Sequence, residues 1–389
     1  MAGLSLVSLV LGVFREFMIA RELRASGDAD LFFRGLIVVT SARMFGMALF
    51  RGRWIPVPAA VPAARLMRAE RGTCAALAAV GLGVLAVFMG GEVVAPTGLA
   101  LAGSVVLAVY GSAVRALAER GGRERSGFLL EWALPLGAIA GAVLLPRSTL
   151  GPALGLLAGL AVGVVALLPV LAVRAGPEGQ VAEASGVVDP GRTRVLLVDA
   201  LVYGNLALTD TLVSPVYAEG QFALLNYAYL FVNAAMMAPT AAATVVSLRL
   251  AGSGDPAMHR VLRRWAVIGG LASAGLTAVL GLLLMWTPVV AVIDARVGWS
   301  LSAAAGMLVL WSVPYAGLRM ANAVGRQYVV ANEPRRVLAW DLYGLAGRVV
   351  LLGVGAVLVG ISASPVALVF SELVQVGVWW RGPARRADG

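Results

Sequence analysis

The sequence predicts an all-α polytopic membrane protein of about twelve transmembrane helices, arranged as two six-helix lobes. Three observations carry that prediction. Sixty per cent of the 389 residues are hydrophobic and only 13% are charged, a balance foreign to soluble domains. Twelve apolar stretches are long enough to cross a bilayer. The basic residues, finally, alternate in a way that fits twelve crossings.

The stretches run roughly over 2–20, 30–50, 73–94, 98–118, 126–146, 150–173, 195–216, 221–247, 265–290, 300–325, 337–360 and 364–380. Short connections rich in Gly, Pro and charge separate them. Assigning the connections alternately to two sides puts 22 of the 31 basic residues, all of them Arg, on one side. Only Arg21, Arg24, Arg147 and Arg296 fall on the other. This asymmetry places both termini in the cytoplasm and accounts for a net charge of +10 without nucleic acid.

The longest polar segment, 174–194, carries Gly and Pro and lies between the sixth and seventh stretches. It divides the chain into an N-terminal lobe (1–176), a linker (177–194), a C-terminal lobe (195–381) and a cytoplasmic tail (382–389). An internal echo supports the division into pseudo-symmetric halves. Arg125, Glu131 and Gly137 in GGRERSGFLLEWALPLG match Arg335, Asp341 and Gly347 in NEPRRVLAWDLYGLAG at one offset of 210. Six-plus-six repeats are a common transporter plan, with the substrate path between the halves.

Charge inside the membrane marks the functional residues. A charged group at mid-bilayer costs at least about 2.5–3.5 kcal/mol, so it faces a cavity or a partner unless it snorkels from a helix end. Arg15 and Glu16 sit side by side in the first stretch, about 100° apart on a helix; Ser8 and Gly12 share the face of Arg15. In the second stretch Asp30 and Arg34 are four apart, a pairing distance. Arg43 lies deeper and on the opposite face, with Thr40 beside it. Arg348 falls near the centre of the eleventh stretch, on one polar stripe with Asp341. Several deep guanidinium groups facing one cavity attract phosphate or carboxylate. The interspersed acids either orient those Arg residues or bind a coupling cation or proton.

The single Cys (Cys74) reads as a small buried hydrophobe, and the single His (His259), in the basic run GDPAMHRVLRRW, as a solvated loop residue. Neither implies a metal or other cofactor. No nucleophile–base pair or phosphate loop points to an enzyme.

The run SLVLGVFREFMIARELRASGDADLFFRGLIVVTSARMF resembles the first two helices of MurJ/MviN-type flippases, within the MATE/polysaccharide-exporter (MOP) superfamily. Gly12, Arg15–Glu16, Asp30 to Phe33 and Arg43 carry the resemblance. Residues 153–176 resemble the family's sixth helix, and 220–251 its Gly-containing turn and eighth helix. The resemblance implies a bacterial inner-membrane flippase for lipid II or a related polyprenyl-linked glycan, with Arg15 and Arg43 on the pyrophosphate and Asp30 at the cavity mouth. Membrane lipids and the lipid-linked substrate are then its partners. Leu9, Thr40 and Leu230 depart from the family pattern, and the sequence ends where the family has two further helices. Arg348 is expected to compensate for the lost Arg positions. Two other readings stay open: a MATE-like exporter of a soluble anionic metabolite, and a transport-inactive scaffold for envelope synthesis.

Overall fold

The computed structural model describes residues 2–54, 61–120, 124–171, 206–251, 256–286, 302–332 and 334–380, with a few single positions between 288 and 295. Nearly all of them are helical. In lipid, every backbone amide and carbonyl must be satisfied within the segment, and a helix achieves this alone.

Helix α1 (Ala2–Leu23) turns into α2 (Gly27–Trp54) through Arg24, whose φ is 55°. Ser26 opens α2 by accepting the Ala29 amide at 3.2 Å. Asp28 and Asp30 then occupy the first turn, where the helix dipole favours acids. The short α3 (Ala63–Ala69) precedes α4 (Arg71–Met89), α5 (Pro96–Arg120), α6 (Glu124–Leu144), α7 (Leu150–Leu171) and α8 (Leu206–Val213). Beyond it come α9 (Gln221–Ala251), α10 (Pro256–Met285), α11 (Ser302–Trp311), α12 (Val313–Asn332), α13 (Pro334–Val359) and α14 (Ala363–Trp380). Apart from the short α3, which lies between the second and third stretches, these helices fall on the apolar stretches expected from sequence. The seventh stretch is described only from residue 206, and the expected linker and tail lie outside the described residues.

Among the described residues, 7 segments are long and apolar enough to span a bilayer, and the last of them, Arg336–Trp380, comprises both α13 and α14. Val87, Val357 and Leu358 are 78%, 70% and 75% exposed, the outward apolar surface of a multi-pass membrane protein.

The chain forms two compact units, Met1–Leu212 and Val213–Gly389. In the first, α6 packs along the full length of α7; α5 lies against α2 and α7, α1 against α6, and α4 against α2 and α5. Glycines bring α6 and α7 together. A Cβ on Gly155 would lie 2.0 Å from the Gly137 carbonyl oxygen, and one on Gly141 would lie 2.0 Å from that of Gly151. Only backbone meets backbone here, the close approach that small residues four apart allow. Cys74 of α4 is wholly buried, as its sequence context suggests.

In the second unit, α12 packs on α9, α10 and α14, and α13 on α14. Leu262, Ala266, Met320, Val324, Val378 and Trp379 form its core. His259 corrects an expectation. It is not in a solvated loop but in the first turn of α10, 5% exposed. Its Nε2 lies 2.9 Å from the Trp379 carbonyl; a carbonyl only accepts, so the ring donates through Nε2. Nearby, the Arg263 guanidinium covers the Trp380 ring at 4.2 Å. Together the two residues fasten the end of α14 to α10.

Candidate functional site

The first unit gathers charge at the ends and middles of four helices. At its centre, Glu119 of α5 binds Arg51 of α2 through two parallel bonds, Nε to Oε2 at 2.6 Å and Nη2 to Oε1 at 2.5 Å. Glu119 also accepts from Arg115 Nε at 3.0 Å, one turn back on the same helix. Arg115 reaches on to Glu131 of α6. On α1, Arg15 pairs with Glu16. Sequence geometry set these neighbours about 100° apart, but both side chains are long, and each bends back to meet the other.

Three carboxylates thus engage three guanidinium groups. Arg43 of α2 is the exception. It is half-buried, and Arg15, Arg51, Arg115 and Glu131 are the charges that bear on it. Its Nε is buried and has no hydrogen-bond partner. Among the described residues no acceptor meets its guanidinium. The backbone beneath it is fixed: Ser112 of α5 donates to the Arg43 carbonyl at 2.8 Å, and a Cβ on Gly46 would lie 2.8 Å from that of Ser112. Arg43 therefore stands on a rigid helix pair with a surplus positive charge, in surroundings where an unanswered charge is costly.

The other residues expected at the site are placed as follows. Thr40 turns its hydroxyl back onto its own helix, 3.0 Å from the carbonyls of Leu36 and Ile37, which commits its proton to the backbone. Asp30 is 6% exposed in the first turn of α2. Gly12, one turn from Arg15 on α1, faces open space, with nothing within 4 Å of a Cβ built there. Ser8, two turns from Arg15, accepts from Trp132 Nε1 at 2.9 Å and so ties α1 to α6.

Asp341 and Arg348 belong to the second unit, where each is fully buried on α13. The Asp341 carboxylate is held by Arg326 of α12 through Oδ2 and by Gln375 of α14 through Oδ1, the latter at 2.7 Å. A second buried group adjoins it. Glu372 of α14 accepts from Asn322 at 2.6 Å and Arg319 at 3.1 Å, and Asn322 in turn accepts from the Trp379 indole at 2.6 Å. Gly325 lets that indole lie flat on α12, since a Cβ there would be 2.3 Å from the ring.

Arg115 and Arg326 are among the 22 basic residues that the positive-inside count puts on the cytoplasmic side. Both are helical, at 9% and 4% exposure, because each finds an acid on the next helix. The internal echo already pointed to those acids: Glu131 and Asp341 are its matched pair. Glu372 and Gln375 lay within the last apolar stretch and Glu119 just beyond the fourth, and none was singled out.

No family model matches this chain, and no curated protein matches it. Solved structures do. A lipid II flippase, MurJ, in an inward closed conformation aligns with a TM-score of 0.77 and 12% identity, over 97% of this chain and 86% of that one. An inward-facing multidrug resistance MATE family transporter of the MOP superfamily aligns at 0.66 and 12% identity, over 96% and 93%. An outward-facing form of such a transporter aligns at 0.62 and 12%, over 98% and 93%. The fold is that of these transporters.

Proposed function

We propose that this chain, built on the fold shared by MurJ and MATE transporters, is a flippase for a lipid-linked, phosphate-bearing envelope precursor. In this reading it resides in a bacterial inner membrane with both termini cytoplasmic. Its twelve helices form two pseudo-symmetric lobes that work by alternating access. The observation that carries the proposal is Arg43: a partly buried guanidinium with no acceptor among the described residues, on a backbone held by Ser112, with Arg15 among the charges that bear on it. A phosphate supplies what Arg43 lacks, since guanidinium binds it through paired, charge-assisted hydrogen bonds.

The repeat reading has support of its own. Arg115 pairs with Glu131 across consecutive helices at a separation of 16, and Arg326 with Asp341 at a separation of 15. Each unit so carries a basic residue near the end of one helix that is answered by an acid near the start of the next. Helices α5 and α6 are joined in this way in the first unit, as are α12 and α13 in the second.

The likeness to MATE transporters favours a second reading, export of a soluble anionic metabolite through the same Arg residues. One experiment separates the two. A strain depleted of its lipid II flippase is complemented with wild type, Arg15→Ala or Arg43→Ala at matched expression. Rescue by wild type and failure of both variants supports lipid II flipping through these residues. No rescue by well-expressed wild type excludes lipid II as the cargo and turns the search to a different anion.

A further inference from the structure

We propose that Glu16 is an exchangeable counter-ion that the cargo displaces: it neutralises Arg15 while the site is empty and gives Arg15 up when a pyrophosphate binds. The inference rests on the phosphate-binding role given to Arg43 above.

The charge inventory of the cluster leads to it. Arg15, Arg43, Arg51 and Arg115 stand against Glu16, Glu119 and Glu131, which leaves one positive charge in excess. One charge suits a monoanion. A pyrophosphate carries more and needs a second guanidinium, so one internal ion pair must open. Arg51 and Arg115 are poor donors for that exchange. Both are anchored on the same Glu119, and Arg115 on Glu131 as well, so releasing either one breaks several charge-assisted bonds.

Arg15 differs in three ways. Glu16 is its only ion-pair partner among the described residues. Its Nε is buried and has no hydrogen-bond partner, as at Arg43. Beside it on the helix, a Cβ built on Gly12 meets nothing within 4 Å. Arg15 is also among the charges that bear on Arg43, and in this proposal one diphosphate group engages both. Glu16, attached to the neighbouring backbone position, swings aside without any helix moving. Selectivity follows from the same device. A monoanion satisfies Arg43 alone and leaves Glu16 in place, whereas a diphosphate outcompetes the carboxylate.

The test is calorimetric titration of the purified full-length protein in neutral detergent with inorganic pyrophosphate and with farnesyl pyrophosphate. Removing one carboxylate charge near the bound anion is expected to tighten binding by about tenfold at an intermediate effective dielectric. Glu16→Gln is therefore expected to bind both probes about tenfold more tightly than wild type, with Glu16→Asp close to wild type. Damage to the fold would weaken binding, so the sign of the change separates the two causes. Equal or weaker binding by Glu16→Gln, with Arg43→Ala still losing affinity, overturns the counter-ion role and leaves the Arg43 site standing. Unchanged binding by Arg43→Ala overturns the site itself. No binding of either probe by wild type and by Glu16→Gln alike overturns both. A gain confined to inorganic pyrophosphate overturns the exchange as a step in handling a lipid-linked cargo and assigns it to a free anion.

Discussion

Gly155→Ala tests the packing on which the first unit depends. The added methyl would sit 2.0 Å from the Gly137 carbonyl oxygen and 3.0 Å from the Gly141 Cα. A relaxed carbon–oxygen contact is about 3.2 Å, so α6 and α7 must part by more than about 1 Å. Neither neighbour is a side chain that can rotate away, which puts the cost at the upper end of overpacking, about 3 kcal/mol. Replacing a helical glycine by alanine returns about 1 kcal/mol of propensity. The net loss is about 2 kcal/mol, or a fall of roughly 4–8 °C for a unit of this size. Gly83→Ala on α4 is the control: nothing lies within 4 Å of its Cβ, so only the propensity gain remains. Melting of both variants in one detergent, followed by intrinsic fluorescence, reads the difference. A Gly155→Ala protein that melts no lower than Gly83→Ala refutes the claim that backbone contact holds α6 to α7.

Two further predictions concern the second unit. Asp341→Asn removes the carboxylate charge that meets Arg326, 4% exposed; a loss of about 3 kcal/mol is expected, with partial recovery in the double variant that adds Arg326→Met, both read by melting in detergent. Trp379→Phe keeps the ring over Gly325 but removes the donor to Asn322, and a loss of about 1–2 kcal/mol is expected; a variant as stable as wild type would mean that the bond adds nothing net.

Most of the helical framework was legible because one physical rule governs it: a run of apolar residues in lipid has to be a helix, and Arg collects at one set of ends. Arg15 and Arg43 were legible for a related reason, since a charge deep in an apolar run has few innocent explanations. Pairing was the harder part. Glu372 meets Arg319 and Asn322 across separations of 53 and 50 residues, and no local pattern reports such a meeting. Arg115 and Arg326 resembled ordinary positive-inside residues, because a guanidinium that reaches headgroups and one that reaches a neighbouring carboxylate occupy the same place in a sequence. His259 was misread on similar grounds: its basic surroundings suggested water, whereas a carbonyl 120 residues away receives its proton. Glu16 was read as an acid that orients an Arg or carries a coupling ion, and the acceptor it offers goes to the residue next to it.

Cys74 has a practical consequence. It is the chain's one thiol and is fully enclosed. The native sequence therefore serves as its own silent background for maleimide labelling, with no cysteine to remove. A cysteine placed at Gly12, where the backbone opens onto free space, becomes the single reactive position. The side of a sealed vesicle from which a membrane-impermeant reagent reaches it, and whether pyrophosphate slows the reaction, would report on the site one molecule at a time.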